Sequence, residues 1–303
     1  MLKLSELLVV PSCLLLAACG GGGGGGGVAG PAPGTFTSFS AITSAGHWDF
    51  IGSSVEGDKA RDGQSLVTQV TNQQPGSAKI SITFDQYGQA TAMSVAGSRS
   101  TVNTEKWDAY NLPGVSNPWN LVGISPDKNN IYAMSGPNYL GHDYQMFGVW
   151  ETGLKSPSGN FAAYSVGAAS SASSVPNTGS GKFTGKALGV YTDAGGNNYV
   201  TGSDASLTAD FGARKVALTT ANTQTNNTLT YRHAAAPNLD LSGSLSYTAG
   251  TNGFSGTVST TGGLSGTASG KFYGPTATEV GGTFSTKAAS GVENFAGAFG
   301  AKR

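Results

Sequence analysis

The chain has 303 residues, a formal net charge of zero from 17 basic and 17 acidic side chains, and only 11% charged residues. Its length suffices for one large domain or two small ones, each with its own buried core. The balanced charge, without any cluster of Lys and Arg, excludes a nucleic-acid-binding surface. The 47 glycines, with short β-branched and aromatic runs separated by Gly, Asn and Asp, predict an all-β protein.

Residues 1–18 are typical of a signal peptide, with Lys3 as the positive start and a short apolar stretch after it. Residues 16–19 read Leu-Ala-Ala-Cys and resemble the bacterial lipobox. This resemblance implies that Cys19 carries the lipid, with palmitate-type acyl chains. Several such chains would anchor the protein stably, because each buried CH₂ contributes about 0.8 kcal/mol. The alternative is an ordinary secretory signal followed by an incidental cysteine.

Residues 19–35 combine the lipidated Cys19 with a glycine-rich segment that includes an unbroken glycine run from Gly20 to Gly27. Glycine at this density behaves as a flexible tether. Gly20 stands where an aspartate often retains bacterial lipoproteins at the inner membrane. We therefore expect a lipid-anchored protein of the outer membrane, exposed at the cell surface.

Residues 36–175 are predicted to form a smaller β-rich domain, since 79–85 and 145–150 alternate apolar and polar side chains. This region holds all the tryptophans of the chain, and 168–174 read as a linker. Irregular, aromatic stretches here suit loops that contact a ligand, because rigid rings bury much area at small entropic cost. The alternative is that these rings cover their own core. The candidate ligand-binding residues are Trp107, Tyr110, Trp119 and Tyr139.

Residues 176–303 are predicted to form an eight-stranded antiparallel β-barrel. Period-two alternation begins at Phe183, and 193–198 supply a hairpin turn. Closure of the barrel would remove exposed sheet edges. An outer-membrane barrel is a competing interpretation, but the strand faces carry Ser, Thr, Lys and Asp instead of an apolar band. The strand candidates are 183–191, 199–209, 213–220, 239–248, 252–259, 264–273, 278–287 and 293–301.

Three stretches in the C-terminal half carry a family resemblance. The sequences GKFYGP at 270–275, EVGGTF at 279–284 and AFGAKR at 298–303 are similar to the β-barrel signature of the transferrin-binding protein B family of surface lipoproteins. The resemblance implies that 36–175 correspond to the "handle" domain that precedes the barrel. Full family members have two lobes, each a handle plus a barrel, whereas this chain has room for one.

The chain has few side chains that could act in catalysis or bind a metal ion. His47, His142 and His233 lack a second ligand at a metal-binding spacing, and no hydrolase or zinc-protease motif occurs. We therefore predict no catalytic residues, no metal site, no cofactor and no enzymatic activity. His142 is predicted to lie in a solvated turn, with a haem or metal pocket as the alternative.

These observations predict a lipid-anchored surface protein that captures a protein ligand or a ligand that bears iron or haem. The family resemblance implies a role in iron acquisition and an outer-membrane receptor as a further partner. Two alternatives stay open. One is a small-molecule or haem carrier that uses a pocket, and the other is a structural envelope protein or adhesin.

Overall fold

The computed structural model describes residues 38–42, 45–86, 90–103, 108–109, 121–135 and 141–303. These residues form two nine-stranded antiparallel sheets, and the described helices are short 3₁₀ segments at Phe39–Ala41, Ala172–Ser174 and Pro237–Leu239. The predicted all-β class is confirmed. The described part of the chain has no helix that is both long and apolar enough to cross a membrane.

The first sheet is open and curled, with strand order β4-β3-β2-β1-β9-β8-β7-β6-β5. Its longest strands are β1 and β2, a hairpin that pairs antiparallel from Gly46↔Phe84 to Arg61↔Val67. The strands are β1 (Gly46–Arg61), β2 (Val67–Phe84), β3 (Ala90–Ala96), β4 (Thr101–Asn103), β5 (Asp108–Ala109), β6 (Leu121–Ile124), β7 (Ile131–Ser135), β8 (Gln145–Glu151) and β9 (Ser158–Gly167).

The second sheet closes into a barrel of eight strands, because β11 pairs with β10 on one side and with β12 on the other. The short β13 is an additional strand that pairs only with β12. The strands are β10 (Ser180–Thr192), β11 (Asn198–Asp210), β12 (Lys215–Asn227), β13 (His233–Ala235), β14 (Leu241–Ser246), β15 (Gly253–Thr260), β16 (Ser265–Tyr273), β17 (Glu279–Lys287) and β18 (Asn294–Lys302).

The barrel interior is filled by aromatic side chains. Phe272 is fully buried, and its ring centroid lies 5.3 Å from that of Phe254 and 5.8 Å from that of Phe211. Glycines allow neighbours to approach the inner wall closely. A Cβ atom on Gly243 would overlap the side chain of Val258, for example. The barrel is therefore a packed core and not an open channel.

The open sheet packs against the barrel through a shared apolar layer. Val55, Phe147 and Phe161 of the sheet contact the same buried cluster as Leu188 and Ala298 of the barrel. The opposite face of the open sheet has its own core, which includes the fully buried Trp150 and Tyr164. Because both faces of the central strands are buried, the sheet and the barrel form one packed unit.

The strand predictions agree with the structure over most of the barrel. The main differences concern β12, which extends to Asn227 instead of ending at 220, and residues 237–239, which form a 3₁₀ helix ahead of β14. The signal peptide and the tether lie outside the described residues. The division at 175/176 stays a prediction, although the predicted linker 168–174 lies between β9 and β10.

Candidate functional site

The predicted site residues Cys19, Trp107, Tyr110, Trp119 and Tyr139 all lie outside the described residues. Their roles therefore stay predictions. The structure does place the strand ends from which their segments depart.

Two of these segments leave the open sheet at the same end. Leu121, the first residue of β6, pairs with Met134, and Ser135, the last residue of β7, pairs with Phe147 near the start of β8. The segment 110–120 therefore rejoins the sheet beside the point where 136–140 leaves it. At the same end Gln145 reaches the barrel, where its Nε2 donates to the carbonyl of Val280 at 2.9 Å. We call this the lower end of the molecule.

A charged cluster, which we call the upper cluster, joins the sheet to the opposite end of the barrel. Glu151 accepts hydrogen bonds from Lys59 Nζ at 3.1 Å, from Arg61 Nη2 and from Asn198 Nδ2 at 2.7 Å. Asn198 Oδ1 in turn accepts from Lys59 Nζ at 2.5 Å. The charged side chains are at most 1% exposed, and burial lowers the pKa of Lys59 to about 8 against the opposing effect of Glu151.

A second cluster, the lower cluster, joins the sheet to the barrel near Gln145. Glu279, the first residue of β17, accepts hydrogen bonds from the backbone N–H of Asp143 at 2.5 Å and of Tyr144 at 3.2 Å. Lys302 Nζ lies 3.4 Å from the carbonyl oxygen of Gly141 on the same loop. A carboxylate and an ammonium group from the barrel thus bind the backbone of residues 141–144.

Burial shifts both titratable groups at the centre of the lower cluster. It raises the pKa of Glu279 to about 7 despite the two backbone hydrogen bonds. It lowers the pKa of His142 to about 4, and the positive charge of Lys302 adds to this shift. The predicted solvated turn is wrong for His142, which is fully buried with its ring 5.9 Å from that of Phe147. Burial follows from packing against the barrel, which its sequence neighbours do not reveal.

Neither cluster is accessible enough to bind a ligand from solution. Glu151 and Lys59 are shielded completely, and Glu279 is only 4% exposed. The described residues include no group of three or more His, Cys, Asp and Glu side chains that could hold a metal ion. These clusters therefore fix the orientation of the sheet relative to the barrel.

Two depressions open on the barrel surface. A shallow one of about 720 Å³ lies on the wall of β14–β16 and is lined by small side chains such as Ser244 and Thr257. The other, which we call the end cleft, has a volume of about 270 Å³ and lies at the lower end. It combines the ring of Phe211 with Arg214 and Tyr247, so it offers both apolar walls and a positive charge.

Sequence reasoning did not identify the clusters or the end cleft. Lys59 and Glu151 are 92 positions apart and meet only through pairing of β1 with β9 and of β9 with β8. The sequence carries one signal for the upper cluster, which is a charged residue at an inward-facing strand position, as at Lys59 and Glu151. Such a residue requires a buried partner.

Comparison with known proteins supports the C-terminal assignment. Residues 160–303 match the family model described as the C-lobe and N-lobe beta barrels of Tf-binding protein B. The matched segment begins within β9 of the open sheet and contains all strands of the barrel. No curated protein matches the chain significantly.

Solved structures with similar folds include transferrin-binding protein B from two bacteria. A tryptophan-to-alanine mutant from Haemophilus parasuis is 12% identical, covers 84% of this chain and 75% of its own, and has a TM-score of 0.44. The protein from serogroup B Neisseria meningitidis is 13% identical, with coverages of 86% and 77% and a TM-score of 0.41. A structure described as a surface lipoprotein is 11% identical, with coverages of 82% and 98% and a TM-score of 0.37.

The family-model match coincides with the part of the chain that closes into eight antiparallel strands, and the resemblance expected from GKFYGP, EVGGTF and AFGAKR is confirmed. In residues 160–303 the chain therefore has a β-barrel domain that is similar to the barrels of the transferrin-binding protein B family.

Proposed function

We propose that the protein is a non-enzymatic lipoprotein, anchored in the outer membrane through Cys19, that binds a protein ligand at the cell surface. The observation that carries this proposal is the match of residues 160–303 to the barrels of Tf-binding protein B. Two of the solved structures with similar folds are named transferrin-binding protein B. Transferrin is accordingly the first ligand to test, and iron acquisition is the process in which the protein would act.

The strand register supports a contact surface at the lower end. The segments that hold Trp119 and Tyr139 depart from neighbouring strand ends, beside β8 and the barrel. Tyr110 follows β5, the edge strand next to β6, on the side that runs toward the lower end, whereas Trp107 precedes the other end of β5 and gives this surface no support. Because the clusters and the shared layer fix the sheet on the barrel, a ligand would meet a preorganised support, which lowers the entropic cost of binding.

Anchoring is tested in a Gram-negative host with the full chain and a Cys19→Ala variant. The wild type should incorporate labelled palmitate, fractionate with the outer membrane and be degraded when whole cells are treated with protease. The variant should lose the label. Wild-type protein that lacks the label, or that resists protease in intact cells while being cleaved after lysis, would contradict the proposed anchoring or orientation.

Ligand binding is tested with the lipidated chain in detergent, by biolayer interferometry against iron-loaded transferrin, iron-free transferrin and serum albumin. If a protein ligand binds at the lower end, truncation of Trp119 or Tyr139 to Ala should weaken it by about 30-fold, the effect of a hot-spot residue. Lys128, exposed in the β6–β7 turn at the opposite end of the sheet, supplies the control, since Lys128→Ala should leave the affinity unchanged.

The two alternatives are outcomes of the same experiments. Saturable haem binding with a shifted Soret band, and no transferrin binding, would favour a haem carrier. Absence of binding to transferrin, haem and proteins secreted by iron-starved cultures would favour a structural envelope protein.

A further inference from the structure

The end cleft is built from three loops at the lower end of the barrel. One loop follows the 3₁₀ helix Ala172–Ser174, the second connects β11 to β12, and the third connects β14 to β15. Phe211 is 2% exposed, and Val175 packs against the barrel core. The ring of Tyr247 lies edge-on to Phe272, with centroids 5.7 Å apart. The walls of the cleft are therefore apolar and held firmly by the core.

The cleft contains one hydroxyl group whose hydrogen-bonding capacity is unused. The hydroxyl of Tyr247 is buried, and it has no hydrogen-bond partner among the described residues. A buried hydroxyl without a partner is unfavourable, so this group favours an occupant that accepts a hydrogen bond. Burial is also the main cause that raises the pKa of Tyr247, so the hydroxyl keeps its proton and remains a donor at neutral pH.

The second polar group of the cleft is the exposed guanidinium of Arg214. Its positive charge acts on the Tyr247 hydroxyl, as the pKa of that group reflects. Arg214 has no ion-pair partner in the described part of the chain. Asp210, which also acts on Tyr247, uses its Oδ1 to accept the backbone N–H of Ala213 at 2.8 Å. The guanidinium therefore remains available to an anion.

The β11–β12 turn does not require arginine at this position. Arg214 has a φ of +56°, a backbone conformation that glycine adopts without strain and that side chains of L-residues disfavour. Its carbonyl oxygen accepts the backbone N–H of Tyr247 at 3.2 Å, a contact that any residue could make. Local structure thus gives no reason for the long cationic side chain, whereas an anionic occupant of the cleft does.

We propose that the end cleft binds a small carboxylic acid with an apolar body. The carboxylate would lie between the guanidinium of Arg214 and the hydroxyl of Tyr247, and the apolar part would lie against Phe211 and Val175. A guanidinium binds a carboxylate through paired hydrogen bonds. The guanidinium of Arg303 lies over the ring of Phe211, 5.1 Å from its centroid, and adds positive charge at this end of the barrel. An inorganic anion would leave the apolar walls unused. The volume of about 270 Å³ lies below the roughly 300–1,000 Å³ of sites for drug-sized ligands, which favours a compact molecule.

This proposal is independent of the proposed function, because it involves neither the lipid anchor nor capture of a protein. Its probe is benzoate, with benzamide as the neutral analogue and inorganic phosphate as the anion without an apolar body. Saturation-transfer NMR and calorimetry with the full chain should show saturable benzoate binding. Benzamide and phosphate should bind at least about 10-fold more weakly, since each lacks one of the two matched features.

Three variants separate the role of the side chains from that of the turn. Arg214→Gly removes the guanidinium and relieves the positive φ, so it should fold at least as stably as the wild type while benzoate affinity falls at least about 10-fold. Tyr247→Phe keeps the ring and should weaken binding by a smaller factor. Lys215→Gln removes the neighbouring exposed cation and should leave binding unchanged. The proposal is overturned if the wild type binds no benzoate saturably, if Arg214→Gly binds it equally well, or if Lys215→Gln causes the same loss.

Discussion

Replacing Glu279 by Gln should change how stability depends on pH, because Glu279 and His142 titrate in opposite directions within the lower cluster. Burial raises the pKa of Glu279 from 4.5 to about 7, so the folded protein binds more protons than the unfolded chain between these values. The stabilising contribution of Glu279 is therefore lost as pH rises from 4.5 to 7. Burial, assisted by Lys302, lowers the pKa of His142 from 6.5 to about 4. Stability linked to His142 is therefore gained as pH rises from 4 to 6.5.

The two contributions overlap between pH 4.5 and 6.5. Each changes the free energy of unfolding by about 1.4 kcal/mol per pH unit, with opposite sign, so they nearly cancel in the wild type. In Glu279→Gln only the His142 contribution remains, and it amounts to as much as about 3 kcal/mol over this interval. The stability difference between wild type and variant should shift by a similar amount, in favour of the variant, between pH 4.5 and 7.

The assay is urea denaturation followed by tryptophan fluorescence at pH 4.5, 5.5, 6.5 and 7.5, for the wild type, Glu279→Gln and His142→Leu. Contributions from other carboxylates are common to all three proteins and cancel in the differences. His142→Leu should show the reverse trend and lose stability relative to the wild type as pH rises to 6.5. The reasoning is refuted if the difference in free energy of unfolding between the wild type and Glu279→Gln stays constant with pH.

Three further substitutions test the packing that holds the molecule together. Glu151→Gln leaves buried cations, including Lys59, without a counter-charge and should lower the free energy of unfolding by about 3–5 kcal/mol in urea denaturation. A loss below about 1 kcal/mol would show that the upper cluster is solvated. Phe272→Ala removes the ring at the centre of the barrel core and should lower the free energy of unfolding by about 3–5 kcal/mol in the same assay. A smaller loss is expected only if the neighbouring rings move into the space left by Phe272. Gly196 has a φ of +82°, and a Cβ atom at this position would collide with the carbonyl oxygen of Val67. Gly196→Ala should therefore lower the free energy of unfolding by at least about 1 kcal/mol and accelerate amide exchange at Val67. Unchanged exchange would contradict the assigned contact.

Strands such as β14 and β15 were predictable because their side chains alternate with period two, and because turn residues separate them. The residues of β14 illustrate this, since Leu241 and Leu245 are buried while Ser242 and Ser244 are exposed. The end of β12 was not predictable. Its pairing with β11 is irregular between Gly202 and Asp204, and residues 222–227 are a polar run without alternation. Backbone pairing alone sets the length of such a strand.

The contacts that orient the sheet on the barrel could not be read from the sequence. Glu279 binds the backbone of residues 136 positions away, and Lys59 contacts Asn198 across 139 positions. Such pairs depend on the register of several strands at once, whereas periodicity reports only one strand at a time. The glycines at 281–282 show the same limit. Gly281 lies within β17, where the side chain of Gln145 from the open sheet occupies the space of a Cβ atom, a contact that the neighbouring sequence does not reveal.

The position of β1 links this packing to the proposed binding surface. Its odd-numbered residues share one face, on which Val55 and Lys59 are buried against the barrel while Ile51, nearer the lower end, is 66% exposed. The barrel therefore covers only part of this face. A polar or charged side chain at a covered position needs a partner from the barrel, and Lys59 finds it in Asn198. Since the covered part is fixed by buried ion pairs and a shared apolar layer, the strand ends at the lower end keep a constant distance from the barrel loops. A ligand that contacts both would bind a rigid surface, and its affinity would depend on the residues of that surface instead of on the cost of ordering it.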